Sequence, residues 1–194
     1  MEDGCYQTTQ TFSPFQHAYR LRHSTETAIL KVFFDVIDAL DVGNITLLAL
    51  LDLTAAFDTV DHLILLQRLR RSFGIDATVL RWFHSYITGR TQAVHLSGTT
   101  TLLCPLVCGV PKGSVLGPLF VLYTADISSI IAAHRLLHHC YANDTPIYFY
   151  CCPSEYAALK GKVPSCIDAL ADWMMINKLH LNPSKSELLW CTTL

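Results

Sequence analysis

At 194 residues and 51% hydrophobic side chains, the chain is too apolar for disorder and sized for one domain or part of a larger one. A formal net charge of −2 excludes an overall basic field, so any nucleic-acid groove has to be local. No apolar run reaches the roughly 20 residues that a spanning helix needs, and the polar opening MEDGCYQTTQT is no secretion signal. An intracellular protein with no membrane partner is therefore expected, its eight cysteines kept as reduced thiols, many of them buried.

Residues 1–14 read as a loose leader before one domain over 15–194. Ile29, Val32, Phe33, Val36, Ile37 and Leu40 recur at helical spacing up to Gly43, which predicts an amphipathic helix with that stripe on the core. ITLLALL (45–51) is short and uniformly apolar, as for a central strand buried on both faces. Helices are predicted over 60–72 and 77–88, ending at Gly74 and Gly89. Residues 91–97 and 100–108 read as a strand pair about Ser97 and Gly98. A helix follows from Gly113 to about Ala133, then a hairpin over 136–150 with Asn143 and Asp144 at its bend. Residues 154–175 are helical in pattern, with Ile167, Leu170, Ala171 and Met174 on one face. Pro164 inside that stretch costs about 3 kcal/mol unless it opens a second helix. A last strand is predicted over 187–193, and the interleaving indicates an α+β layered domain.

Two acids stand out by position. Asp52 ends the apolar strand, where neighbouring strands would fix its direction, and Asp144 lies at the hairpin bend. Paired carboxylates on adjacent strands are what nucleotidyl transfer needs, because two divalent ions about 4 Å apart must be held by hard oxygen ligands. Asp58 and Asp61 read instead as first-turn helix acids. Arg68, Arg70 and Arg71 read as a solvated helix face rather than a phosphate track. His134, His138, His139 and Cys140 are metal-ligating types without a second ligand pair nearby, so they read as a helix end entering a strand.

Five segments in order carry a resemblance: FQHAYRLRHSTETA (15–28), LLDLTAAFDTVDH (50–62), CGVPKGSVLGPLF (108–120), YANDTPIYFY (141–150) and NKLHLNPSKSELLW (177–190). The chain resembles the reverse transcriptase domain of non-LTR (LINE-type) retrotransposons of the jockey and CR1-like groups. That resemblance implies a polymerase right-hand palm, a ferredoxin-like antiparallel sheet backed by helices, with partial fingers and no thumb. It further implies RNA-directed DNA polymerase activity on an RNA template and DNA primer, with deoxynucleoside triphosphates and two Mg2+ ions. Asp52 and Asp144 would hold metal with the backbone carbonyl of Leu53, and Phe57 would lie under the sugar. Gly109, Pro111, Gly113 and Ser114 would shape the loop facing template and nucleotide, and Lys185 would stand near the leaving pyrophosphate.

Several positions depart from that pattern. Asn143 occupies the place of the family's first paired aspartate, so one negative charge is missing and severely reduced or absent polymerase activity is expected. Pro146 stands where the returning strand would need a backbone donor, Lys112 where the family has glutamine, and GPLFVLY is one residue short. Together with the family's upstream fingers strands and thumb, which the chain lacks, these are expected of a degenerate, truncated copy. The alternative is a palm kept as a binding module for nucleic acid or protein, or one with no role.

Overall fold

The computed structural model describes residues 13–111 and 117–193. In chain order the elements are α1 (Thr25–Asp41), β1 (Ile45–Leu51), α2 (His62–Arg71), α3 (Ala77–Ile87), β2 (Thr91–Gln92), β3 (His95–Leu96), β4 (Thr99–Thr100), β5 (Cys104–Pro105), α4 (Pro118–Tyr123), α5 (Ile127–Ala133), β6 (Leu137–His138), β7 (Thr145–Cys151), α6 (Tyr156–Ile176) and β8 (Glu187–Cys191). Strands β6, β7, β1 and β8 form one antiparallel sheet in that order. The two longest strands run side by side at its centre, from Ile45 opposite Cys151 to Leu51 opposite Thr145.

Strand alternation sends Leu47, Ala49 and Leu51 to one face, with Ile147 beside Ala49. There they meet Leu65, Leu66 and Leu69 of α2, Phe120 and Tyr123 of α4, Ile131 of α5, and Cys166, Leu170 and Met174 of α6 in one buried cluster. Leu65 is fully buried, so Leu65→Ala would cost about 2–5 kcal/mol. Helix α1 covers the other face, where its Asp35 accepts the hydroxyl hydrogen bond of Tyr148. Burial opposes the Asp35 charge, but hydrogen bonds from Lys31 and Tyr148 outweigh it and hold the carboxyl below its ordinary value.

The strand, helix and hairpin expectations largely match, and five details differ. Helix α1 buries Val32 of the predicted stripe and half-buries Val36, Ile37 and Leu40, but leaves Ile29 and Phe33 62% and 55% exposed and buries Ala28 and Ala39 instead. Ala28, Ala39 and the bond between Tyr148 and Asp35 make the contacts that Ile29 and Phe33 do not, and a count of large apolar residues misses them. Helix α6 runs unbroken through Pro164, which has no N–H to give the intrahelical ladder. The helix expected to about Ala133 is two, α4 and α5, separated at Thr124 to Asp126; its predicted start at Gly113 lies outside the described residues.

Arg68 is the fourth difference. It is not solvated: its guanidinium donates to the Tyr123 carbonyl and to Asn177 Oδ1 (3.0 Å), and it pairs with Asp126 at 3.0 Å. The Trp173 ring lies 5.2 Å away, so one arginine ties α2, α4, α5 and α6 together. Arg70 and Arg71 are exposed as expected. The pair about Ser97 and Gly98 forms, with both residues at positive φ, but only as the short rungs β3–β4 and β2–β5.

Candidate active site at two strand ends

The chain leaves β1 directly into Asp52. Its backbone N–H donates to Ser186 Oγ at 3.3 Å and its carbonyl accepts from Asn182 N at 2.9 Å. Asn182 Nδ2 donates to the Asp52 carboxylate itself at 3.3 Å, and Ser186 Oγ donates on to the Asn182 carbonyl at 2.8 Å. Thr54 N donates to His180 O at 2.9 Å, so residues 180–182 run antiparallel beside 52–54. By antiparallel alternation the Leu53 carbonyl then points away from that segment, toward the hairpin. Asn182 and Ser186 were not singled out in the sequence, although the Asn182-Pro183 turn signal was there to be read.

Across the sheet, Tyr141 and Asp144 exchange both backbone bonds, at 2.9 and 3.0 Å. The turn is therefore centred on Ala142 and Asn143, one residue earlier than the predicted bend. Ala142 holds φ at 54°, in the left-handed region. Residues 15–17 lie parallel to Cys140, which donates to Phe15 O (2.7 Å) and accepts from His17 N (2.8 Å). His139 N reaches Pro146 O at 3.4 Å, which places the missing proline N–H on the β6 side. The β1–β7 ladder keeps its register through Leu50 opposite Pro146, so the distortion expected from Pro146 is limited to one absent bond in the hairpin arm.

With Leu51 opposite Thr145, the next positions on the two strands are Asp52 and Asp144. The Asp144 carboxyl is held above its ordinary value, first by partial burial and then by the negative charge on Asp52. Asn143 is half-buried and, with Leu53, Gln16, Phe120, Thr124 and Thr145, lines a cavity of about 20 Å3, room for one water. Phe57 is half-buried and packs against the edge of the core, its ring centroid 4.6 Å from that of Phe120, which also lines the cavity. Lys185 is exposed in the turn that Asn182 opens, its N–H on the Asn182 carbonyl at 3.2 Å.

Gly109 has φ 91°, and a Cβ there would stand 3.0 Å from the Asp58 carbonyl oxygen, so only glycine allows this approach. Its N–H donates to Val60 O at 2.8 Å, its carbonyl bonds His62 Nε2 at 2.9 Å, and Val110 N donates to Phe57 O at 2.8 Å. Half-buried Pro111 continues this strap. Gly113, Ser114 and Lys112 lie outside the described residues. Asp61 caps α2 by accepting from Leu63 and Ile64 (2.9 and 3.0 Å), whereas Asp58 sits in the preceding turn rather than the helix.

The donors at the strand ends are two carboxylates, the Leu53 carbonyl and the Asn143 amide oxygen. All are hard oxygens of the kind Mg2+ takes, and the repulsion between Asp52 and Asp144 is what a divalent ion would relieve. They fit such an ion with one negative charge fewer than a three-carboxylate site. Among the described residues there is no group of three or more His, Cys, Asp or Glu placed to hold a metal. His17 and His139 are bonded to each other instead, at 2.9 Å. Seven described cysteines are free, with Cys140, Cys151 and Cys166 buried.

The family model for reverse transcriptase (RNA-dependent DNA polymerase) matches residues 4–193. The chain belongs to that family. This reverse transcriptase domain is 28% identical over 187 residues to the RNA-directed DNA polymerase from mobile element jockey of Drosophila melanogaster, covering 93% of this chain and 20% of that one. It is 27% identical over 179 residues to the probable RNA-directed DNA polymerase from transposon BS of the same fly, covering 88% and 19%. It thus spans about a fifth of the curated relatives it matches. Among solved structures, apo telomerase from Candida tropicalis, truncated from its C-terminal domain, matches with a TM-score of 0.66 at 16% identity, over 91% of this chain and 36% of that one. The partial palm-like α+β fold expected from the sequence is the fold this domain has. No helix among the described residues is long and apolar enough to cross a membrane.

Proposed function

We propose that this domain is the palm of an RNA-directed DNA polymerase of a non-LTR retrotransposon and that Asn143 leaves its polymerase activity severely reduced or absent. The reading rests on one observation above the rest: Asp52 and Asp144 follow and precede directly paired strands, closely enough for the Asp52 charge to raise the Asp144 pKa. The reaction is attack of a primer 3′-hydroxyl on the α-phosphorus of a deoxynucleoside triphosphate, with pyrophosphate leaving and the RNA template choosing the base. Two bound Mg2+ ions would supply Lewis-acid activation of the hydroxyl and neutralise charge on the leaving group.

The chain's own residues do the placing. Asp52, Asp144 and the Leu53 carbonyl offer the ligands, and Asn182 orients the Asp52 carboxylate through its 3.3 Å bond. Phe57 lies against the deoxyribose and excludes a 2′-hydroxyl by bulk. Gly109 and Pro111 face template and nucleotide, a role the resemblance also gives to Gly113 and Ser114, and Lys185 stabilises the departing pyrophosphate. Asn143 keeps the shape of an aspartate without its charge. A second reading, a palm kept for binding hybrid duplex or protein without chemistry, is favoured by that same residue.

Primer extension on an RNA template with Mg2+ tests this. Extension at or near background is expected for the chain as it stands, and Asn143→Asp should raise it by about 100-fold or more. Robust extension without the substitution would refute the impairment. Failure of the Asn143→Asp chain both to extend and to bind Mn2+ would remove the polymerase reading. Salt-sensitive binding of RNA–DNA duplex by a chain that never extends would leave the binding reading in its place.

A further inference from the structure

We infer that Gln16 is a positioning residue for the metal-side hairpin: its buried amide clamps the turn residue Ala142 and so sets where Asn143 and Asp144 point. Gln16 lies far upstream of the hairpin and is only 6% exposed. Its Oε1 accepts from Ala142 N at 3.0 Å and its Nε2 donates to Ala142 O at 3.5 Å, so the amide grips both backbone polar groups of one residue. The same Oε1 accepts from Ala18 N at 3.0 Å, and Arg20 Nη1 donates to the Gln16 carbonyl at 3.2 Å, which fixes the clamp from behind.

A two-residue turn leaves the first central residue's N–H and carbonyl to solvent, and one that needs positive φ there selects Gly or Asn. That first position holds neither: Ala142 sits there at φ 54° with a Cβ that disfavours it, and Asn143 stands one place later. The turn is thus weak on local grounds, and a side chain 126 residues away in sequence supplies what it lacks. The pairing of 15–17 with Cys140 brings the amide to the turn, and the small cavity places Gln16, Ala142 and Asn143 on one wall. Gln16 touches no donor of the candidate metal site. It acts through Ala142, and the inference rests on the polymerase reading only for the metal affinity it predicts.

The test uses the full chain, with Mn2+ binding followed by electron paramagnetic resonance and amide hydrogen exchange measured without metal. Gln16→Met keeps the volume and removes both bonds, and Gln16→Glu keeps the acceptor. Gln16→Met should weaken Mn2+ binding by about 10-fold or more and speed exchange at Ala142 and Asp144, while Gln16→Glu keeps Ala142 protected. Val32→Ala on α1, a cavity substitution with no contact to the turn, should lower the melting temperature and leave Mn2+ affinity unchanged. In an Ala142→Gly background the Gln16→Met loss should shrink several-fold, because glycine adopts the turn unaided. An unchanged affinity in Gln16→Met, or the same loss in both backgrounds, overturns the clamp. Should the unsubstituted chain bind no Mn2+, the metal reading fails, and exchange alone decides the clamp: rates at Ala142 and Asp144 unmoved by Gln16→Met overturn it.

Discussion

On the β1 side of the site, Asp52 is braced by the turn at 180–186, which bonds its backbone N–H, its carbonyl and its carboxylate. On the β7 side, Asn143 and Asp144 depend on a two-residue turn whose support comes from residues 15–17. The first brace reaches the Asp52 carboxylate directly and uses uncharged partners. The second reaches only the backbone and passes through a cluster of histidines. The two halves of one site thus hang from opposite ends of the chain and differ in how directly they hold the acid and in what can loosen them.

The largest predicted effect separates the halves by charge. Asn143→Asp on the hairpin side should raise both primer extension and Mn2+ affinity by about 100-fold. Adding Asp52→Asn to that variant should return extension to background, because the second half alone cannot hold the ion. If the double variant still extends, the two strand ends are not one site.

Acid should loosen the hairpin half first. Burial lowers the pKa of His17 to about 4, helped by the charges of His139, His23 and Arg20, and lowers His138 to about 4 with help from His139. His139 is also lowered by burial, with Asp35 opposing and Lys31 assisting. His17 Nδ1 and His138 Nε2 are buried with no hydrogen-bond partner. These histidines are neutral in the fold and readily protonated out of it, so the stability they lend is complete above pH 6.5 and drains as pH falls toward 4. At pH 5 His17 and His138 would each cost up to about 2 kcal/mol. Amide protection at Cys140, Tyr141 and Asp144 should therefore fall between pH 6.5 and 5 while Thr54 and Asn182 hold theirs. Equal losses on both sides would break the comparison, and His17→Gln should blunt the effect.

On the β1 side, Asn182→Ala removes the bond to the Asp52 carboxylate and the acceptor for Ser184. One partly buried hydrogen bond to a charged group sets the scale at about 1–2 kcal/mol. A thermal melt should show that loss, with Mn2+ affinity falling less than in Gln16→Met if the turn is the weaker support.

How much of this was legible follows from the range of the contacts. ITLLALL, the α2 and α3 helices and the hairpin were readable because their periodicity and turn residues are local. Asp52 and Asp144 stood out by position, at a strand end and a hairpin bend, and the resemblance made them a pair. The turn was misplaced by one residue because Asn normally takes the left-handed position and here Ala142 does. Arg68 was read as solvated because nothing in HLILLQRLRR shows that Asn177 and Asp126 wait for it. The two braces were invisible for the same reason, since the Gln16 and Asn182 contacts span 126 and 130 residues.

The smallest effect sharpens the comparison most finely, because each half carries one alanine in the left-handed region. Ala142 at φ 54° follows Tyr141, and Ala55 at φ 46° follows the Asp52 segment. Ala55 is held by its own carbonyl, which accepts from Asp58 N at 2.8 Å and Thr59 N at 3.2 Å, while Ala142 is held by Gln16. Ala→Gly removes a steric cost of about 1 kcal/mol at such a position and adds chain entropy to the unfolded state, so a net gain of about 0.5 kcal/mol is expected at either site. In a thermal melt each variant should rise by about 1–2 °C. The distinction appears with Gln16→Met: the gain from Ala142→Gly should grow once the clamp is gone, and the gain from Ala55→Gly should not, since its hydrogen bonds lie within its own turn.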